Sequence, residues 1–83
     1  MRSSLSFSDA LILLKDGQRL QREGWNGKGM YLFRVTHWTY AGRGEGGEEV
    51  LPFVAMKTAD SKVVPWLCSQ TDMLANDWQV LDA

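Results

Sequence analysis

Two tryptophan-containing segments carry the residue types that could bind a small ligand. They are residues 22–30 and 65–74, and each sets an indole beside a turn or helix start rich in small polar groups. An indole face stacks on a planar base, while amides, hydroxyls and free backbone N–H groups form directional hydrogen bonds. This pattern indicates a nucleotide-like ligand. The candidate binding residues are Arg22, Trp25, Asn26, Gly27, Lys28, Tyr31, Trp66, Ser69, Gln70, Thr71 and Asp72.

Each tryptophan has a structural interpretation beside the functional one. Trp25 either stacks on a base or plugs the mouth of a hairpin as a half-buried aromatic. Trp66 either stacks on a base near a helix start or packs in the core. Trp78 stands between polar residues of a short edge-strand pattern, which favours a core or interface role.

The glycine-rich turn is not a P-loop. Gly27, Lys28 and Gly29 lack both the spacing of that motif and its strand-to-helix context. They remain candidates for a turn with exposed N–H groups and one cation. Arg22 either pairs with a phosphate through two hydrogen bonds or is a strand-surface charge.

The second segment includes a helix start at residues 69–72. Ser69 and Asp72 follow the capping-box pattern, which satisfies the first N–H groups of a helix. Capping by Ser69 is compatible with a ligand role for Gln70 or Thr71. The acidic Asp72 favours ribose hydroxyls over phosphate.

The sequence offers little for catalysis or for a metal. His37 is the single imidazole, and Cys68 is the single cysteine, so the two cannot form a zinc cluster. Cys68 is either a small buried residue or a thiol whose pKa a helix start lowers. Because no acid–base pair stands out, we expect a binding protein with no cofactor and no catalytic residues, and an enzyme is the weaker alternative.

The size and net charge of the chain further limit the class of protein that it can be. Eighty-three residues, 45% of them hydrophobic, make one globular domain spanning 1–83. Domains this small often need a disulfide, a metal or a partner copy, and the composition leaves a homo-oligomer. The net charge of −1 argues against a duplex nucleic-acid partner. No apolar run is long enough for a membrane span and no signal peptide opens the chain, so we expect a cytoplasmic protein.

The element pattern predicts an α+β fold. A capped helix over 6–16 precedes strands over 19–22 and 30–36, and a flexible loop is predicted over 37–52. Strands over 53–58 and 62–66 follow, then a short helix from Gln70 and a last strand over 78–81. The expected architecture is an antiparallel sheet of about five strands, with one N-terminal helix and a short second helix before the last strand.

The chain resembles a small phage and prophage family, the second type of Thoeris anti-defence protein. The likeness is carried by residues 7–11 and 15–17, and by the run from Arg22 to Leu32. In the second half it is carried by residues 56–60 and 64–75 and by Asp77-Trp78. It extends over nearly the whole chain except 37–52.

This resemblance implies a function and a mechanism. Such proteins act in the bacterial host cytoplasm, where they bind a cyclic ADP-ribose isomer, glycocyclic ADP-ribose, and hold it without cleaving it. They form homotetramers with pockets at protomer boundaries, and some members also bind cyclic oligonucleotides. By this resemblance Trp25 and Trp66 sandwich a ring, Asn26 and the glycine-rich turn contact the pyrophosphate with Arg22 or Lys28, and Gln70, Thr71 and Asp72 bond ribose hydroxyls. A nucleotide-degrading enzyme and a phage protein-interaction module remain alternatives.

Overall fold

The structure, a computed structural model, describes residues 3–25, 29–38 and 48–81. Its elements in chain order are α1 Phe7–Lys15, β1 Leu20–Arg22, β2 Tyr31–Trp38, β3 Glu48–Lys57, β4 Val63–Pro65, α2 Gln70–Met73 and β5 Trp78–Val80. The strands form one sheet in the order β4-β3-β2-β1-β5, and every neighbouring pair is antiparallel. The predicted α+β architecture is therefore confirmed.

Helix α1 begins and ends as the capping pattern predicts. The Ser6 hydroxyl accepts a hydrogen bond from the Asp9 N–H at 3.3 Å, which satisfies one of the first free donors of the helix. Gly17 follows the last turn with a φ of 91°, and its N–H bonds to the Leu14 carbonyl. This left-handed conformation favours glycine, so it ends the helix at little steric cost.

One face of the sheet packs against α1. The fully buried residues of this core come from α1, β1, β2 and β5, and they are Ala10, Leu14, Leu20, Leu32 and Trp78. Strand β5 pairs with β1 in the register Leu20↔Val80 and Arg22↔Trp78. This pairing brings the start of β5 beside the segment that follows β1, where the Glu23 N–H donates to the Asp77 carbonyl.

The predicted loop over 37–52 is wrong at both ends. Strand β2 continues through Trp38 and β3 begins at Glu48, so residues 37–38 and 48–52 belong to strands. Pro52 lies inside β3 although it lacks an N–H for a ladder hydrogen bond. The strand accommodates it because the β2–β3 register shifts between Val35 and His37, and because β4 pairs only with residues 55–57. Residues 39–47 lie outside the described part of the chain.

Among the described residues, none of the helices has the length and apolar character needed to cross a membrane.

Candidate ligand-binding site

The candidate site lies at the edge of the sheet where β1, β5 and α2 meet. Arg22 ends β1, Asp72 lies in α2, and Asp77 directly precedes β5. The Arg22 Nε is 2.8 Å from Asp77 Oδ1, and its Nη1 is 2.8 Å from Asp72 Oδ1. Together with Trp25 these three residues form what we call the Arg22 cluster. It joins two parts of the chain 50 and 55 residues apart.

The Arg22 cluster is half-buried and carries more negative than positive charge. The side chains of Arg22, Asp72 and Asp77 keep 22%, 15% and 31% of their exposure. Hydrogen bonds to Asp77 and Asp72 raise the pKa of Arg22, against the opposing effect of burial. The hydrogen bond from Arg22 is the largest effect lowering the pKa of Asp77, and the Gly24 N–H adds to it. Two carboxylates therefore share one guanidinium, which does not favour a phosphate at this point.

Neither interpretation of Arg22 from sequence anticipated this arrangement. The guanidinium is engaged with carboxylates of its own chain, so Arg22 is not a free strand-surface charge. Hydrogen bonds to Asp77 and Asp72 engage Nε, Nη1 and Nη2, so no pair of its nitrogens is left free for a bidentate phosphate contact.

Trp25 is half-buried beside this cluster. Its indole Nε1 donates to Asp72 Oδ1 at 3.4 Å, and its ring meets the Trp78 ring edge-on at a centroid distance of 5.4 Å and 79°. The indole is therefore placed both by a carboxylate and by the core. Half burial leaves part of the ring accessible, which is compatible with both interpretations of Trp25.

Trp78 is the residue around which the other aromatic rings gather. It is fully buried, which confirms its core role. The Trp66 ring lies edge-on to it at 6.0 Å and the Phe7 ring is tilted at 5.6 Å. Its Nε1 donates to the Asp72 carbonyl at 3.0 Å. Trp25 and Trp66 therefore both pack on the same buried indole.

Helix α2 places Asp72 by a local cap. The Ser69 hydroxyl accepts from the Asp72 N–H at 3.2 Å, and Ser69 Oγ lies 3.1 Å from Thr71 Oγ1. The predicted capping role of Ser69 is confirmed. Gln70 and Thr71 are exposed, whereas Asp72 is half-buried and points toward Arg22 and Trp25.

Among the described candidate residues, Tyr31 lies away from these contacts. Tyr31 neighbours Leu32, a core residue, so the alternation of β2 places it on the opposite face of the sheet. There the Arg19 guanidinium carbon lies 5.2 Å from its ring centroid. Asn26, Gly27 and Lys28 lie outside the described residues.

The chain that carries the Arg22 cluster is similar to proteins of a known family. The chain matches the Thoeris anti-defense 2-like domain over residues 5–81. It is also 41% identical over 88 residues to a protein of Bacillus phage SP01 named Thoeris anti-defense 2, a match covering 98% of this chain and 99% of that relative. The chain belongs to the Thoeris anti-defense 2-like family. Both tryptophan-containing segments lie inside the region matched to this anti-defence family.

In this member of the Thoeris anti-defense 2-like family, the residue that sequence reasoning missed is Asp77. Asp77 lies outside both tryptophan-containing segments, and no spacing rule links it to Arg22 or Gly24. The structure contradicts one of the two interpretations of Cys68, a thiol whose pKa is lowered by a helix start. Burial, followed by the nearby Asp72 charge, instead raises the pKa of this thiol. A helix start therefore does not activate Cys68 as a nucleophile.

Proposed function

We propose that this protein binds a cyclic ADP-ribose-type immune signal, glycocyclic ADP-ribose, and sequesters it without cleaving it. In this way it blocks Thoeris defence in the cytoplasm of the infected bacterium. Support comes from membership of the Thoeris anti-defense 2-like family and from the phage relative of that name.

The observation that carries the proposal is the pairing of Trp25 with Asp72. An indole and a carboxylate lie side by side, with Trp25 Nε1 3.4 Å from Asp72 Oδ1. Within the described part of the chain, Asp72 Oδ2 has no hydrogen-bond partner. Stacking on Trp25 and acceptance of a ribose hydroxyl by Asp72 suit an adenosine-like moiety. The excess negative charge of the Arg22 cluster disfavours the pyrophosphate there, so Asn26 and Lys28 remain the candidates for that group by resemblance to the family.

We propose that the protein does not cleave the bound nucleotide, because ionisable groups at the site do not suit acid–base catalysis. General acid–base catalysis needs groups whose pKa lies near the working pH. Ion pairing moves the pKa of Arg22 up and that of Asp77 down, so both stay charged near neutrality. Burial likewise holds the Cys68 thiol protonated.

We also propose that the protein is a homo-oligomer, with a tetramer favoured. The sheet face opposite α1 bears an apolar set from β2, β3 and β4, namely Tyr31, Phe33, Val35, Phe53, Ala55 and Val63. Val35 and Ala55 are buried on this face without belonging to the core around Trp78. A depression of about 400 Å³ lined in part by Phe33, Val35 and Val63 lies there. A second copy that covers this face would supply the stabilisation that so small a domain needs.

Two neighbouring valines test the assembly. Val63 and Val64 retain similar exposures of 41% and 43%, but strand alternation places them on opposite faces of the sheet. We expect Val63→Glu to reduce the mass measured by light scattering, whereas Val64→Glu should retain the wild-type mass. An unchanged mass for Val63→Glu in a folded protein would place the oligomer contact elsewhere.

Isothermal titration calorimetry with glycocyclic ADP-ribose tests the function directly. We expect tight, saturable binding, and chromatography after heat denaturation should return the intact ligand. Altered ligand would support the enzyme alternative instead. Without any binding, cyclic di- and trinucleotides would be titrated next, and failure of all of them would favour a protein-interaction module.

A further inference from the structure

The two carboxylates that share Arg22 differ in how much of their bonding capacity is used. Asp77 Oδ1 accepts from Arg22 Nε at 2.8 Å, and Asp77 Oδ2 accepts from the Gly24 N–H at 3.0 Å. The Asp77 carbonyl also accepts from the Glu23 N–H at 3.0 Å. Asp77 therefore bonds to three consecutive residues, all of which directly precede Trp25.

Asp72 is bonded differently. Its Oδ1 accepts from Arg22 and from the indole of Trp25. Its Oδ2 has no partner among residues 3–25, 29–38 and 48–81. Asp72 thus has one oxygen open to a ligand, whereas both oxygens of Asp77 accept hydrogen bonds from its own chain.

The steric environment of Gly24 independently shows that residue 24 lies close to the Asp77 carboxylate. A Cβ built on Gly24 would lie 3.1 Å from Asp77 Oδ2, which is tighter than most contacts of a real Cβ. The segment therefore approaches the carboxylate as closely as a residue without a side chain allows. A Cβ at position 24 therefore requires Asp77 Oδ2 or the backbone of residue 24 to move by a few tenths of an ångström.

We propose that Asp77 is a positioning residue for the ligand site, one that sets the place of Trp25 without touching the ligand. The inference rests on the proposed function. Asp77 fixes the backbone of Glu23 and Gly24, and Arg22 connects it to Asp72, so the stacking surface and the hydroxyl acceptor keep a constant separation. Such preorganisation reduces the ordering that binding would otherwise require.

The test compares affinities for glycocyclic ADP-ribose by calorimetry. Asp77→Asn retains the shape of the side chain but places an amide where two hydrogen bonds need carboxylate oxygens. We expect at least about tenfold weaker binding, the scale of a lost hydrogen bond to a charged group. Gly24→Ala retains every charge and should weaken binding in the same direction. Asp60→Asn is the matched control, because Asp60 pairs with Lys62 in the β3–β4 turn. This variant should bind the ligand as tightly as the wild type does.

A double-mutant cycle separates positioning from general destabilisation. If Asp77 acts through Trp25, Asp77→Asn should weaken binding far less in a Trp25→Ala background than in the wild type. Additive effects in folded proteins would overturn the inference, as would wild-type affinity of both Asp77→Asn and Gly24→Ala. If the wild-type protein itself does not bind, the proposed function fails and this inference fails with it. If the wild-type protein binds and the variants bind with the same affinity, the inference about Asp77 fails while the proposed function stands.

Discussion

Trp25 lies edge-on to Trp78, with ring centroids 5.4 Å apart and an interplanar angle of 79°. The partner ring is fully buried, so the core fixes the position of the Trp25 indole. A candidate stacking surface is thereby placed before any ligand arrives. Because aromatic side chains have few rotatable bonds, such a surface binds at a low cost in conformational entropy.

Replacing Trp25 should affect both binding and stability. We expect Trp25→Ala to weaken nucleotide binding by more than about 1 kcal/mol, the scale of one lost stacking contact. Loss of the edge-on pair should lower the free energy of unfolding by about 0.5–1.5 kcal/mol. Calorimetry and urea unfolding measure the two effects, and light scattering should find the assembly intact. An unchanged affinity in the folded variant would remove Trp25 from the site.

The two helix caps provide a matched pair of substitutions. Ser6 and Ser69 accept N–H bonds of similar length, 3.3 and 3.2 Å, so each change to alanine should cost about 1 kcal/mol of stability. Only Ser69 places Asp72. We therefore expect weaker ligand binding in Ser69→Ala and wild-type binding in Ser6→Ala, measured by calorimetry. Equal affinities in the two variants would indicate that the α2 cap has no part in the site.

Acid should destabilise the protein through Asp77. The hydrogen bond from Arg22 lowers the pKa of Asp77 below its ordinary value of 3.8, so the folded chain binds fewer protons than the unfolded chain near that pH. The resulting stabilisation is fully present above the unfolded pKa and is lost as pH falls through the folded one. Urea unfolding between pH 6 and pH 2 should record this loss, and Asp77→Asn should reduce it. The same acid dependence in both proteins would contradict the assignment.

Trp78 should be the residue on which the fold depends most. Its buried ring contacts those of Trp25, Trp66 and Phe7. Removing a fully buried aromatic side chain costs about 3–5 kcal/mol, which is a large fraction of the stability of a domain this small. We expect Trp78→Ala to be largely unfolded by circular dichroism. Trp25→Ala should remain folded. If Trp25→Ala were instead less stable than Trp78→Ala, the core would not be centred on Trp78.

Local patterns predicted the fold well because they depend on neighbouring residues. The Ser6 and Ser69 caps need only a donor three residues away, and strand alternation needs only a half-buried surface. Prediction was wrong where distant pairing decided the outcome. The β3 strand passes through Pro52 because the register of β2 shifts opposite it and β4 does not reach it, and neither fact is local.

Most of the elements, both helix caps and the candidate residues of a nucleotide-like site follow from local sequence patterns. Which of those residues meet depends on the tertiary fold. Arg22 contacts carboxylates 50 and 55 residues away because β5 pairs with β1, and alternation in β2 directs Tyr31 to the other face. Spacing along a chain fixes local geometry, whereas long-range contacts depend on strand order and register, which are set by the burial of the whole core.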